Sequence, residues 1–289
     1  MNFRHQSGTV QSKALRATAC ANEKFQVAEN LCPVVSNEWV NDRYMRLVLE
    51  APETALAVEA GQFFHLLCPP SEAGNPFFRR PMSVYQVDRQ AGRIEFLYKC
   101  VGAGTHGMAT LKPGDIFNVM GPLGIGFSVN PTWRNIIVLG RGVGLATLAP
   151  LARMAAGKGV HVTAILSAQK SEFLMSREVF ESVGADVITV TDDDGTSAVE
   201  HIRTILEDRI VGGRADGFYT CGSNRLMLLM KEIGAKHHIP GQVALEQQMA
   251  CGLGMCFCCV RSFEVDGEVF HRRVCCEGPV FDIREALSW

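Results

Sequence analysis

Six of the chain's eleven cysteines fall between Cys251 and Cys276, and their spacing constrains the fold more than any other feature. Cys251 is followed by four residues and Cys256, then by two residues and Cys259, and a further thiol arrives at Cys275. That is the ligation pattern of a plant-type [2Fe–2S] site. Gly252 and Gly254 let such a loop curl tightly and leave backbone N–H groups free to face sulfur. Residues 260–265 and 268–274 read as two strands about an Asp266-Gly267 turn, a strong hairpin signal. If Val265 pairs with Glu268, Cys259 comes opposite Val274 and Cys258 opposite Cys275, so the hairpin returns the fourth thiol to the first three. Cys258 and Cys276 are read as non-ligands. Four thiolates also suit structural zinc, but zinc ribbons usually offer two Cys-x2-Cys knuckles, and here the far end is a vicinal pair. The pattern favours iron–sulfur. Such thiolates need a reducing compartment, which points to the cytoplasm. Cys20, Cys32, Cys68, Cys100 and Cys221 are scattered.

The rest of the chain predicts a multidomain β plus α/β protein. Residues 1–22 carry Arg4, Lys13 and Arg16 with no apolar run behind them, so they read as a flexible extension and not a secretory signal. Over 23–130, β-like segments at 63–67, 82–87, 94–100 and 116–120 are separated by turns such as Pro113-Gly114-Asp115 and Gly121-Pro122. Short strands at close spacing predict an antiparallel β-barrel. Over 131–245, strands at 136–139, 161–166, 187–190 and 217–220 alternate with helices from about 145, at 177–182 and at 198–209. That rhythm predicts a parallel sheet with helices on both faces, an α/β domain. Residues 246–289 form the cysteine module. The apolar stretch 135–157 is interrupted by Arg141, Arg153 and glycines, which makes it a poor membrane span. Lys and Arg total 28 against 30 Asp and Glu with no basic block, which argues against a nucleic-acid partner.

Two further constellations carry chemistry. Arg79-Arg80-Pro81-Met82-Ser83 leads into a strand, where an Arg can pair with a cofactor pyrophosphate and a hydroxyl can reach a ring nitrogen. An Arg-rich strand end is also an ordinary solvated edge. Gly102-Ala103-Gly104-Thr105 can bring backbone N–H groups to phosphate, as can many turns. Gly140-Arg141-Gly142-Val143-Gly144 follows an apolar strand and opens a helix, the context of a dinucleotide site. Tyr219-Thr220-Cys221-Gly222 ends a later strand, where open α/β sheets bind ligands, although Cys221 fits buried core equally well.

These motifs in this order, with Gly121-Pro122-Leu123-Gly124 and Thr191-Asp192-Asp193 between them, resemble the ferredoxin reductase superfamily. The ending from Met249 to Cys256 and from Arg273 to Phe281 is most similar to the electron-transfer, iron–sulfur flavoprotein subunits of NAD-dependent dihydroorotate dehydrogenases of pyrimidine biosynthesis. The resemblance covers residues 24–281. It implies that Arg80, Pro81, Met82 and Ser83 hold FAD, and that Gly104 and Thr105 contact its phosphate. It further implies that Gly140, Gly142 and Gly144 line the pyridine-nucleotide site with Cys221 and Gly222 near the nicotinamide. Cys251, Cys256, Cys259 and Cys275 would ligate the cluster. Arg141 stands where such proteins usually have Gly, Ala146-Thr147 replaces a proline-rich helix start, and Ser223 replaces Pro. After the second parallel strand only Lys170 offers a 2′-phosphate partner, so NAD is favoured over NADP.

The implied function is electron transfer between NAD(H), FAD, the cluster and an FMN-containing dehydrogenase subunit, assembled as a heterotetramer. Flavin suits it because it takes two electrons as hydride and can release them singly. The eight histidines do not cluster near the cofactor motifs and no Ser–His–Asp set is present, so catalytic side chains are expected on the partner. Two alternatives stand beside this reading: a reductase feeding an oxygenase or other acceptor, and a zinc-binding regulatory module without catalysis.

Overall fold

The computed structural model describes residues 27–288, so the extension expected over residues 1–22 lies outside the described residues. The N-terminal part contains β1 (Ala28–Trp39), β2 (Tyr44–Glu50), α1 (Glu53–Leu56), β3 (Phe63–Leu66), β4 (Arg80–Ser83), β5 (Gln86–Asp88), β6 (Arg93–Lys99), α2 (Ala103–Ala109) and β7 (Ile116–Leu123). Its seven strands make one antiparallel sheet in the order β4-β3-β7-β1-β2-β6-β5. The expected barrel is therefore an open, curled half-barrel whose edge strands do not pair with one another. The segment 82–87, read as one strand, is two. Ser83 ends one edge and Gln86 starts the other, so three residue steps of ~3.6 Å hold the edges within ~11 Å. The connection curls the sheet where a hydrogen-bond ladder would close it.

The second sheet begins with β8 (Asn135–Arg141), α3 (Gly144–Gly157), β9 (His161–Ala168), α4 (Arg177–Ser182) and β10 (Asp186–Thr191). It continues through α5 (Val199–Val211), β11 (Gly217–Cys221), α6 (Asn224–His237) and β12 (Gly241–Ala244). The parallel order is β10-β9-β8-β11-β12, with a sixth, antiparallel strand on β12. Ile136 to Leu139 are wholly buried because both faces are covered, which explains the unbroken apolar run. Ile136 and Val138 pack with α3 and α4, while Ile137 and Leu139 pack with α5 and α6. Strand order reverses between β8 and β11, the place where open α/β sheets leave a crevice.

The sixth strand comes from the chain's end. After the hairpin β13 (Val260–Val265) and β14 (Glu268–Arg273), a short helix α7 (Val274–Glu277) leads into β15 (Val280–Asp282), which pairs with β12. The hairpin register is the expected one, Val265 against Glu268 through Val260 against Arg273, and Val274 N–H extends it by donating to the Cys259 carbonyl at 3.1 Å. Asp266 and Gly267 both have positive φ (53° and 78°), as a two-residue turn between right-twisted strands requires. Phe263 and Phe281 pack with tilted rings, centroids 4.4 Å apart, in one core that also holds Phe63, Leu123, the α5 and α6 faces, Cys259 and Cys275. No helix among the described residues is long and apolar enough to cross a membrane.

This shared core predicts that Phe281→Ala costs about 3–5 kcal/mol, the usual range for truncating a buried Phe. Urea unfolding followed by tryptophan fluorescence measures it. An unchanged midpoint would show that the C-terminal segment is not coupled to the sheets.

Candidate functional site: a cysteine loop and a glycine-lined crevice

The cysteine loop is built by backbone conformation first. Gly252 and Gly254 have φ of 71° and 81°, and Phe257 joins them at 56°. The loop turns its N–H groups inward, and Leu253 N–H points at Cys251 Sγ at 3.4 Å. Burial pushes the Cys251 thiol up, but the N–H groups of Leu253, Cys256 and Met255 with the Cys256 thiol outweigh it and bring it down to about 7. On the hairpin side Cys275 N–H donates to Cys259 Sγ at 3.3 Å. The Cys275 thiol also donates to Cys259, so Cys259 falls to about 6 and Cys275 is raised. Arg273 clamps the two halves. Its guanidinium donates to Gly254 O at 3.0 Å and to Glu277 at 2.9 Å, and lies 5.3 Å from the Phe257 ring centroid.

The four expected thiols thus stand as two pairs, Cys251 with Cys256 and Cys259 with Cys275. Among the described residues no three His, Cys, Asp or Glu side chains are gathered closely enough to hold a single metal ion. Four thiols in one module with N–H groups aimed at sulfur are a donor set that fits an iron–sulfur cluster. The two remaining cysteines turn elsewhere. Cys258 is exposed with its Sγ 3.9 Å from Gln248 O, and Cys276 is wholly buried in the apolar core. The expected facing of Cys258 and Cys275 is not formed, because α7 starts at Val274 and re-aims Cys275 toward Cys259.

Arg80, Pro81, Met82 and Ser83 form edge strand β4, all half-buried. An edge is where a Pro without an N–H is tolerated. The Arg80 side chain lies over Gly104, its Nε 2.9 Å from where a Cβ would stand there, so the structure brings these two expected contacts together. Thr105 is buried, and its hydroxyl accepts from the N–H groups of Val101 and Gly102 at 2.9 and 3.1 Å. That hydroxyl is thus engaged in closing its own loop.

The glycines of the parallel sheet meet at the order reversal. A Cβ on Gly144 would lie 2.5 Å from Cys221 O, and one on Gly222 only 2.2 Å from Arg141 O. Gly222 also has φ of 90°, so glycine is required twice over. Gly140 faces Leu145 and Leu148 and serves strand–helix packing. Gly142, Gly222 and Arg141 line a crevice of about 370 Å³, closed from the half-barrel side by Arg43, Tyr44 and Lys99. Cys221 is buried, with burial raising its thiol, and does not line that crevice. Arg141 reaches Ser167 Oγ at 2.9 Å and pairs with Asp192 at 2.5 Å, which holds the Asp192 carboxyl below its usual range. Lys170 projects to solvent beside Glu172.

Three contributors were not legible beforehand. Glu246 lines the crevice, and protein crowded around its carboxyl raises its pKa although the residue is open to the crevice. Arg43 stacks over Phe173 at 4.1 Å and bonds Gln169 at 3.0 Å, tying the two sheets together. His65 on β3 is wholly buried and pushed down to about 4, by burial first and Arg79 second, so its ring is neutral. A histidine inside the run Phe63-Phe64-His65-Leu66 was the available signal for it.

Residues 246–286 match the family model described as the iron–sulfur cluster binding domain of dihydroorotate dehydrogenase B, and residues 32–126 match the oxidoreductase FAD-binding domain. The electron transfer subunit of dihydroorotate dehydrogenase B (NAD+) from Desulforamulus reducens is 32% identical over 83% of this chain and 90% of its own. That of Geobacillus thermodenitrificans is 32% identical over 88% and 96%. Among solved structures, the NADH-dependent reduced ferredoxin–NADP oxidoreductase, described for flavin-based electron bifurcation, superposes with a TM-score of 0.71 at 26% identity, covering 88% of this chain and 89% of its own. An Amycolatopsis cytochrome P450 reductase shares the fold at a TM-score of 0.58 and 24% identity, over 74% and 66%. Sequence identity sustained along almost the whole of these relatives, over a half-barrel and a cysteine module that each match their own model, means that the chain belongs to the electron-transfer subunit family of dihydroorotate dehydrogenase B.

Proposed function

We infer that the chain passes electrons between NAD(H) and an FMN-containing dihydroorotate dehydrogenase subunit, by way of FAD and a [2Fe–2S] cluster held by Cys251, Cys256, Cys259 and Cys275. The observation that carries this is the two-sided position of the cysteine loop. Gly252 packs against His65 of β3, the hydrogen-bonded neighbour of the Arg80–Ser83 strand, while Cys256 stands exposed between Met255 and Phe257. One side abuts the strand paired with Arg80–Ser83 and the other faces outward.

The bound groups supply conversion between a two-electron hydride and single electrons, which no side chain here can provide. The chain's part is to place and insulate them. Arg80 pairs with the FAD pyrophosphate beside Gly104, and Pro81 to Ser83 line the flavin ring along the sheet edge. Gly142 and Gly222 let the nucleotide approach the backbone at the order reversal, with Gly144 and Cys221 packed behind them. The buried Cys259–Cys275 pair excludes water on the inner side of the cluster. The thiolate set fits a reducing cytoplasm. The exposed rim of Met255, at 78%, and Phe257, at 52%, offers an apolar centre to the partner, and pairing of two such chains with two catalytic subunits completes the assembly.

Anaerobic purification tests the reading: two iron, two sulfide and one FAD per chain are expected, and a colourless zinc-loaded chain would sink it. Cys256→Ser should abolish electron exchange with the partner yet leave NADH-driven flavin reduction, followed by stopped-flow absorbance. Arg80→Ala should lower FAD retention at least tenfold in Kd, about 1.4 kcal/mol, read by flavin fluorescence on dilution. Met255→Asp should weaken the partner complex by a similar factor at unchanged iron content, measured by calorimetric titration.

A further inference from the structure

Strand β3 buries a histidine that has nothing to bond. His65 is 0% exposed, and neither Nδ1 nor Nε2 has a hydrogen-bond partner among the described residues. Alternation along the strand sends Phe64 and Leu66 into the half-barrel core, and Phe63 into the core that contains Cys259 and Cys275. His65 shares the Phe63 side, its ring 6.1 Å from that of Phe63. Its flanking strand positions are Pro81 of β4 and Met120 of β7. The ring meets the cysteine loop at Gly252, where a Cβ would lie 3.0 Å from Nδ1 and 3.1 Å from Cε1. Gly252 therefore leaves the imidazole in direct reach of the loop, next to Cys251.

A buried polar ring without partners is disfavoured against an apolar one of equal size. If His65 only filled space, leucine or phenylalanine would fill it better. In either tautomer the imidazole carries one N–H, and the adjoining loop is the one built to turn donors toward sulfur.

We propose that His65 is a positioning residue of the iron–sulfur centre, its imidazole N–H donating a hydrogen bond to a sulfur of the cluster site beside Cys251 and so setting how readily that site accepts an electron. The inference rests on the four cysteines holding a [2Fe–2S] cluster. In the step concerned, one electron leaves the reduced flavin and enters the cluster, whose net charge falls by one. No covalent bond forms or breaks, and His65 keeps its proton. A donor already facing sulfur stabilises the added negative charge and raises the reduction potential.

The test uses the full chain with its FAD and partner subunit, in the wild type, His65→Leu and His65→Gln. Iron, sulfide and the EPR signal of the reduced centre are measured first. A wild type without iron refutes the cluster reading itself and His65 with it. In loaded proteins, EPR-monitored redox titration should move the cluster of His65→Leu to a more negative potential. His65→Gln, which keeps an N–H donor, should lie nearer the wild type, and the flavin couple should not move. An unmoved cluster in His65→Leu, or a shift confined to the flavin, overturns the proposal. Should His65→Leu fail to load, wild-type protein labelled with nitrogen-15 histidine decides by pulsed EPR. A nitrogen coupling to the reduced centre that disappears in His65→Gln supports the contact, and its absence overturns it.

Discussion

The segment from Gly278 to Asp282 is held on both flanks at once. Gly278 O accepts from Ile125 N–H of the half-barrel at 2.6 Å, and Pro279 O accepts from Leu245 N–H beyond β12 at 2.9 Å. Val280 to Asp282 then complete the antiparallel edge of the second sheet. Past β15, Ala286 bridges back to Phe263 of the cysteine hairpin. One short stretch of backbone thus satisfies polar groups of the half-barrel, the parallel sheet and the hairpin together. Backbone groups buried at such a junction must be paired, so the three parts cannot shift independently without leaving donors or acceptors unmet. That coupling fixes the cysteine loop relative to strand β4.

The same junction explains why the thiols differ. Cys259 and Cys275 sit where the hairpin root enters the apolar core, among Phe263, Val274 and Phe281. Cys251 and Cys256 lie on the loop, half-buried and exposed respectively. A thiolate is stabilised by the donors that face it and penalised by desolvation, and at Cys251 and Cys259 alike the donors outweigh the burial. Arg273 spans them, with one contact to the loop carbonyl of Gly254 and another to Glu277 on α7. The module is asymmetric by construction, dry toward the core and open at Cys256.

Much of this was legible from local chemistry. The Asp266-Gly267 pair fixed the hairpin register because its two positive φ angles admit little else, and the run Ile136 to Leu139 declared a strand covered on both faces. Legibility failed where tertiary contacts override local pattern. Strand β1 buries Asn30, whose amide caps Val119 O and Gly121 O at 3.2 Å, while Leu31 beside it is 66% exposed. Its polarity is inverted, so alternation gives no signal. Segment 82–87 reads as one strand because Val84 and Tyr85 are apolar, yet they turn the chain from one sheet edge to the other. The crevice walls Tyr44 and Arg43 come from a different sheet than the glycines they face, a pairing no spacing rule encodes.

Covalent connectivity adds a constraint that packing alone does not. Glu246 lines the glycine-lined crevice, and Cys251 carries the first thiol of the loop. Five residue steps separate them, so at ~3.6 Å per step their backbones lie within ~18 Å whatever the chain does between. Strand β3 adds a second tether, since His65 meets Gly252 while its neighbour β4 carries Arg80 to Ser83. Electron transfer falls off steeply with distance, and a chain that had to position three groups by side-chain contacts alone would lose that spacing with each local fluctuation. Here the glycine-lined crevice, strand β4 and the thiol loop are bound by a five-step segment and one buried contact. The spacing survives because the backbone sets it.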